Sequence, residues 1–182
     1  MGRLTHRTSP GWTYFVTTKC ARNSSVFQVR ENAEILVAKL FEYRDKGHYL
    51  LHDFVVMPNH LHLLITPEKS TSLERAMQLI KGGSSHAIHT TRGTRQEIWQ
   101  SGFHESRVRD FAGYKIQADY IHFNPVTAKL VEKPAEWPYS SADVLLVLDP
   151  IPQGLKPCST LPKDVGAKAP TPETAADKAA HS

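Results

Sequence analysis

The chain has little of what marks exported, disulfide-stabilised or membrane-spanning proteins. Only two of its 182 residues are cysteines, Cys20 and Cys158, and they lie far apart. Neither a disulfide framework nor a thiolate metal site is therefore predicted. No apolar run of about 18 residues occurs, and the first residues lead into no apolar signal core. We expect a soluble, cytoplasmic protein without a membrane partner.

The excess of positive charge is also small. Lys and Arg number 22 against 18 Asp and Glu, which gives a net charge of +4 and a pI of about 9.1. These values permit a phosphate-bearing partner without demanding one. Charge alone does not define the function.

Length and composition predict one folded domain followed by a tail. A chain of 182 residues can bury one ordinary core but is short for two full domains. From residue 149 onward Pro, Ala, Lys, Thr and Ser dominate, a composition that buries too little apolar surface to offset the entropy of ordering. We predict a folded domain at residues 1–148 and a disordered Pro/Ala/Lys-rich tail at residues 149–182. The charges of the tail cancel, so the positive surplus belongs to the folded part.

Apolar spacing predicts a mixed fold in which Pro58 and Asn59 form a hairpin turn and Pro125 ends the last helix. The order strand, helix, strand, strand, helix, strand, helix predicts the α+β class. Specifically, it favours a split βαβ (ferredoxin-like) sandwich with an antiparallel sheet and helices on one face. The strands are expected at 12–18, 52–57, 60–66 and 103–109, and the helices at 30–46, 72–89 and 113–123.

The first chemical motif is the pair His60 and His62 inside an apolar run. Residues two apart on a strand point to the same face, so both imidazoles are expected on one side of the sheet. Two such nitrogens suit a divalent metal ion. A polar hairpin face without any metal is the alternative explanation of the same pattern.

The second motif is Tyr120 followed four residues later by Asn124. On a helix this spacing places a phenol and an amide on one face, one turn apart. A tyrosine with an ordinary pKa near 10 acts as a nucleophile only on a strongly activated substrate, and a metal on phosphate oxygens provides such activation. A core tyrosine with Asn124 as a helix cap is the alternative.

Together these motifs belong to four ordered blocks that span residues 11–141. In this order and spacing they resemble the single-tyrosine HUH transposases of the insertion-sequence 200 type, and most of all the REP-associated tyrosine transposases. The blocks are Met57-Pro-Asn-His-Leu-His62, Ile98-Trp-Gln-Ser-Gly-Phe-His104 with Arg107 and Arg109, Tyr120-Ile-His-Phe-Asn-Pro-Val126, and Trp137-Pro-Tyr-Ser-Ser141.

The resemblance implies a role for each matching residue. His60 and His62 are expected to bind Mg²⁺ or Mn²⁺, with Asn124 as a third, amide ligand. Tyr120 is expected to become joined to a DNA 5′-phosphate while a 3′-hydroxyl is released. Since the phosphotyrosine bond keeps the energy of the broken phosphodiester, a DNA 3′-hydroxyl can reverse the attack and rejoin strands. The expected substrate is single-stranded or hairpin (REP-like) DNA, and the protein is expected to act as a monomer or a homodimer.

Basic side chains around these motifs are candidates for contacts with the DNA backbone, although an ordinary solvated basic face would show the same pattern. Two other functions also remain open. One is a metal-dependent hydrolase in which a water attacks and Tyr120 is structural, and the other is a catalytically idle nucleic-acid-binding module. The DNA-contact candidates are Lys81, Arg92, Arg95, Arg107, Arg109 and Lys115.

Overall fold

The structure is a computed structural model, and it describes residue 9 and residues 11–93, 95–143, 146–152 and 155–156. Within these residues the strands and α-helices follow the predicted order. The strands are β1 (Tyr14–Lys19), β2 (Tyr49–Met57), β3 (His60–Pro67) and β4 (His104–Arg107), and the helices are α1 (Arg30–Asp45), α2 (Leu73–Arg92) and α3 (Phe111–Thr127). Short 3-10 turns lie at Ala21–Asn23, Val26–Gln28 and Pro134–Glu136.

The four strands form one antiparallel sheet in the order β2-β3-β1-β4. Residues 58 and 59 make the two-residue turn between β2 and β3, as predicted. In the central strand β1, Thr17 pairs with His62 of β3 on one side and with His104 of β4 on the other. The α+β class and the antiparallel sheet are therefore confirmed.

The prediction that all helices lie on one face of the sheet is wrong. Helices α1 and α2 pack on the face that carries Leu61, Leu63 and Ile65, whereas α3 packs with Leu64 and Met57 on the opposite face. Neighbouring residues of a strand point to opposite faces, so β3 contributes to both cores. Apolar periodicity shows which side of a helix is buried, but it does not show against which sheet face.

The predicted end of α3 before Pro125 is also wrong, since the helix continues to Thr127. The proline removes one helical hydrogen bond near the end of the helix, and its ring is buried in the fold. The chain turns out of the helix at Lys129, two residues after Thr127, where φ is 57°. There the amides of Lys129 and Leu130 bond back to Val126 and Pro125, which is the Schellman pattern.

The segment after α3 covers the free edge of β2. The Trp137 indole donates to the Val56 carbonyl at 2.9 Å, and Ser140 forms an isolated bridge with Val55. Farther along, the Asp149 carboxylate accepts from the Leu51 amide at 2.7 Å. Contacts thus continue past residue 148, where we predicted the folded part to end; residues 157–182 of the predicted tail lie outside the described residues. No helix in the described part of the chain is both long and apolar enough to cross a bilayer.

Candidate active site

The two histidines stand together on the α3 face of the sheet. His60 opens β3 directly after the hairpin turn, and His62 follows on the same face. Their ring centroids are 4.7 Å apart and the rings are nearly perpendicular. The strand therefore places the two imidazoles side by side, as predicted.

Hydrogen bonds hold each imidazole by its Nδ1 atom. His62 Nδ1 lies 2.8 Å from the Thr17 hydroxyl, and His60 Nδ1 lies 2.7 Å from Asn59 Oδ1. The Asn59 oxygen can only accept, so His60 carries its proton on Nδ1, which leaves the ring lone pair on Nε2. This arrangement is typical of histidines that bind metals through Nε2, because the outer hydrogen bond fixes the tautomer and the ring orientation.

The Nε2 atom of His62 is buried and has no hydrogen-bond partner among the described residues. The residue is only 4% exposed, and the Phe15 ring stacks against it at 5.3 Å. Buried polar atoms are nearly always paired, and one that is not needs an explanation. A metal ion bound to this nitrogen would supply the missing partner.

Both imidazoles are held in the neutral form. Burial lowers the pKa of His62 to about 3, with further contributions from His60 and Lys19. Burial also lowers the pKa of His60, although a hydrogen bond with the Asn124 side chain opposes the shift. Neutral imidazoles keep a lone pair available for a cation near pH 7.

Helix α3 places Tyr120 and Asn124 above the two histidines. The Tyr120 ring meets His62 edge to face at a centroid distance of 5.2 Å, and it also contacts Phe15 at 5.9 Å. Tyr120 is 50% exposed, so its phenol is accessible to a large substrate. One turn later, the Asn124 side chain bonds to the His60 imidazole. The short amide therefore reaches His60, and Asn124 lies within the helix and does not cap it.

The donor set fits a divalent cation. In the described ranges of the chain, no cluster of three or more His, Cys, Asp or Glu side chains is suited to hold a metal. The donors that do converge are the imidazoles of His60 and His62 and the amide of Asn124. Two imidazole nitrogens and one amide oxygen leave positions open for water and phosphate oxygens, as a catalytic site requires.

His60, His62 and Tyr120 border a cleft of about 590 Å³, and several other side chains that line it were not predicted as site residues. Gln117 precedes Tyr120 by one helical turn, so the three-to-four residue spacing could have identified it. Lys19 could have been found from its alternation with Thr17 on β1. His104 ends one of the motif blocks, which gave it no role, and it enters the cleft through the pairing of β4 with β1, a nonlocal contact that no local rule predicts. The cleft is lined by Phe15, Thr17, Lys19, Asn23, Asn59, His60, His62, His104, Gln117 and Tyr120.

The basic residues predicted to contact DNA do not form one cluster at this cleft. Lys81 on α2 lies on the opposite side of the sheet, and its ammonium donates to the carbonyls of Gln100 and Gly102 at 2.7 and 2.6 Å. Arg92, near the end of the same helix, lies 3.9 Å from Glu31. These two side chains already have protein partners on the α2 side.

The remaining candidates lie nearer to α3 or to the ends of α2 and β4. The Arg107 guanidinium stacks on the Trp12 ring at 3.1 Å from its centroid, and Lys115 pairs with Asp119 at 3.4 Å. Arg95 and Arg109 are exposed. Surface ion pairs such as that of Lys115 are weak, so a phosphate can compete for them.

The fold and this set of residues define a class of protein. The family model described as "Transposase IS200 like" matches residues 12–124, a range that includes both histidines, Tyr120 and Asn124. The chain belongs to this transposase family, and the resemblance inferred from its motifs is confirmed.

Two relatives carry a narrower description. The REP-associated tyrosine transposase of Escherichia coli (strain K12) is 29% identical over 144 residues, which cover 78% of this chain and 84% of that protein. A solved structure of a REP-associated tyrosine transposase bound to a REP hairpin superposes with a TM-score of 0.67 at 27% identity. That match covers 84% of this chain and 90% of the other.

Proposed function

We propose that this protein is a metal-dependent DNA strand transferase that cleaves and rejoins single strands through a covalent bond to Tyr120. One observation carries the proposal: the half-exposed Tyr120 ring lies against His62, whose buried Nε2 has no partner among the described residues. A nucleophile beside a buried imidazole nitrogen that could bind a metal ion is the arrangement that phosphoryl transfer to a phenol needs.

His60, His62 and Asn124 would hold a divalent ion, Mg²⁺ or Mn²⁺. When bound, the ion would draw charge from the phosphate oxygens and so favour attack at phosphorus. The protein supplies the surroundings: Thr17 and Asn59 orient the imidazoles, and Phe15 shields His62 from water.

The reaction exchanges one ester bond for another. The Tyr120 oxygen attacks phosphorus and loses its proton, the bond from phosphorus to the 3′-oxygen breaks, and that oxygen leaves as a hydroxyl after taking up a proton. The product is a 5′-phosphotyrosine and a free 3′-hydroxyl. Because the new ester has nearly the energy of the old one, attack by a DNA 3′-hydroxyl reverses the step and joins strands without an external energy source.

The proposed substrate is single-stranded or hairpin DNA. The structural relative at TM-score 0.67 is described as bound to a REP hairpin, and the match covers 84% of this chain. Tyr120 and His62 come from the same chain and are already in contact. One protomer therefore contains the whole set of reacting groups, and the protein would act as a monomer or a homodimer.

The test is to incubate the full chain with Mn²⁺ and a labelled strand that contains the hairpins flanking its own gene. Denaturing electrophoresis is expected to show a labelled band at the mass of the protein. Tyr120→Phe is expected to abolish this band, because the nucleophilic oxygen is gone while the ring still packs on His62 and Phe15.

Tyr43→Phe is the matched control, since Tyr43 lies on α1, which packs on the other face of the sheet. It is expected to form the adduct as the wild type does. Cleavage without any protein adduct would instead identify a hydrolase, and metal-independent DNA binding without cleavage would identify an idle module. Either outcome contradicts the proposal.

A further inference from the structure

A buried carboxylate ties the helix of the nucleophile to the sheet. Asp53 of β2 is 6% exposed, and β2 pairs it with Leu64, whose side chain lies on the α3 face. A buried charge is costly unless hydrogen bonds satisfy it, so its partners determine what the residue can do.

Two of these partners belong to α3. The Tyr114 hydroxyl donates to Asp53 Oδ2 at 2.6 Å, and His122 Nε2 lies 2.8 Å from Asp53 Oδ1. Burial and the bond to Asp53 raise the pKa of Tyr114 far above its usual range, so the phenol remains a donor. The two residues are eight positions apart, which is about 12 Å along a helix. These two hydrogen bonds, which we call the tethers of α3, lie at different points along the helix and therefore fix both its rotation and its axial position.

The third partner comes from the segment that covers the edge of β2. The Ser141 hydroxyl lies 3.0 Å from Asp53 Oδ1, and its amide donates to the Phe54 carbonyl at 2.9 Å. The Trp137-Pro-Tyr-Ser-Ser141 motif thus contributes a side chain to the same carboxylate. Asp53 joins β2, α3 and this segment at one point.

Tyr120 lies between the two tethers in the sequence of α3, and its ring must stay over His62. A displacement of about 1 Å at a reacting group can cost about a hundredfold in rate. We propose that Asp53 is a positioning residue which, through Tyr114, His122 and Ser141, holds α3 so that the Tyr120 phenol faces the histidine pair. The proposal rests on the proposed transferase function, to which it adds the part of the fold that sets the geometry of attack.

Tyr114→Phe tests this role, because it removes one tether and keeps the ring. Tyr49→Phe is the matched control: its hydroxyl donates to the Leu40 carbonyl at 2.8 Å and is just as buried, but it lies in the core on the other face of the sheet. Both variants are expected to melt at a lower temperature. Only Tyr114→Phe is expected to slow single-turnover adduct formation at saturating hairpin DNA, by about tenfold or more, with unchanged hairpin and Mn²⁺ affinities.

A second measurement does not depend on turnover. In protein labelled with fluorotyrosine, the Tyr120 resonance is identified by its absence in Tyr120→Phe. Its fluorine shift is expected to change in Tyr114→Phe and to stay constant in Tyr49→Phe, since only the first variant moves the ring relative to His62 and Phe15. Should Tyr114→Phe fail to fold, Ser141→Ala removes a different donor from the same carboxylate and is expected to act in the same direction.

The two proposals fail in different ways. If the wild type forms no adduct, the transferase function is wrong, while the fluorine spectra still decide whether Asp53 positions Tyr120. If Tyr114→Phe and Tyr49→Phe leave both the rate and the Tyr120 resonance equally unaffected, or alter them equally, the role of Asp53 is only structural and the positioning proposal is overturned.

Discussion

At the scale of single residues, the reach of Asn124 decides whether the metal site has a third protein ligand. Its amide bonds to the His60 imidazole. We expect Asn124→Leu, which keeps the volume and loses the oxygen, to weaken Mn²⁺ binding by at least about tenfold. Asn124→Gln is expected to keep most of the affinity, because the longer amide can bend back to the same point. Isothermal titration calorimetry on the full chain measures both.

Gln117→Leu is the control for that prediction, since it removes another amide of α3, one that lines the cleft. It is expected to leave Mn²⁺ affinity unchanged. Equal affinity of Asn124→Leu and the wild type would mean that the two imidazoles alone bind the ion.

The burial of His62 makes the metal-free protein sensitive to acid. The unfolded histidine has a pKa near 6.5, whereas burial lowers the pKa of folded His62 to about 3. Between these values the unfolded chain binds more protons, so the stability is fully present above about pH 6.5 and is lost as the pH falls toward 3. At about pH 5 the loss from His62 alone is about 2 kcal/mol.

Urea denaturation at about pH 7.5 and about pH 5 measures this loss. His62→Gln is expected to lose about 2 kcal/mol less than the wild type between the two conditions. Some acid sensitivity remains in the variant, because burial also lowers the pKa of His52 and His60. An equal decline in both proteins would show that His62 is not held neutral.

At the scale of elements, the contact between α1 and α2 depends on a glycine. Gly82 and Gly83 are adjacent in α2, but a Cβ at Gly82 would meet open space, whereas one at Gly83 would overlap the Tyr43 hydroxyl. Gly82→Ala is expected to raise the free energy of unfolding by about 0.5–1 kcal/mol, since alanine favours a helix interior. Gly83→Ala is expected to lower it by about 1 kcal/mol or more. The urea midpoint is expected to rise in Gly82→Ala and to fall in Gly83→Ala. A higher midpoint in both variants would mean that Tyr43 moves aside freely.

The elements also show what the sequence could predict. Alternation along β3 placed His60 and His62 on one face, and the three-to-four residue spacing placed Tyr120 and Asn124 on one side of α3. Both are local rules, and the ring and side-chain contacts confirm them. Neither rule could show that the two pairs meet, and it was the family resemblance that joined them.

What could not be predicted depended on packing between distant segments. The face of the sheet that α3 covers, and the entry of His104 into the cleft, depend on which strands pair and which helix crosses them. The continuation of α3 through Pro125 has the same origin. The residue before a proline tends not to be helical. In α3 this tendency is outweighed by burial of the proline ring and by the Schellman motif at Lys129. The role of Asp53 was hidden likewise, because its partners lie 61 or more residues away.

At the scale of the whole molecule, the net charge of +4 gives a weak general attraction to DNA, so local basic residues must direct the strand to the cleft. Exposed Arg95 and Arg22 share a groove of about 400 Å³ with Glu97. Asn23, the neighbour of Arg22, lines the active-site cleft, so the groove and the cleft border the same short segment of the chain.

If DNA follows this groove, Arg95 contacts a phosphate and releases a bound counterion. Arg95→Ala is then expected to weaken hairpin binding and to flatten the slope of log affinity against log salt concentration by about 0.9. Lys39→Ala is the control, because Lys39 pairs with Glu42 on α1, on the other side of the sheet from the cleft. Fluorescence anisotropy with a labelled hairpin over a series of salt concentrations measures the slopes. Identical slopes for Arg95→Ala and the wild type would place the DNA path elsewhere. Arg109, just before α3, and Lys115, on α3, would then be the next basic residues to replace.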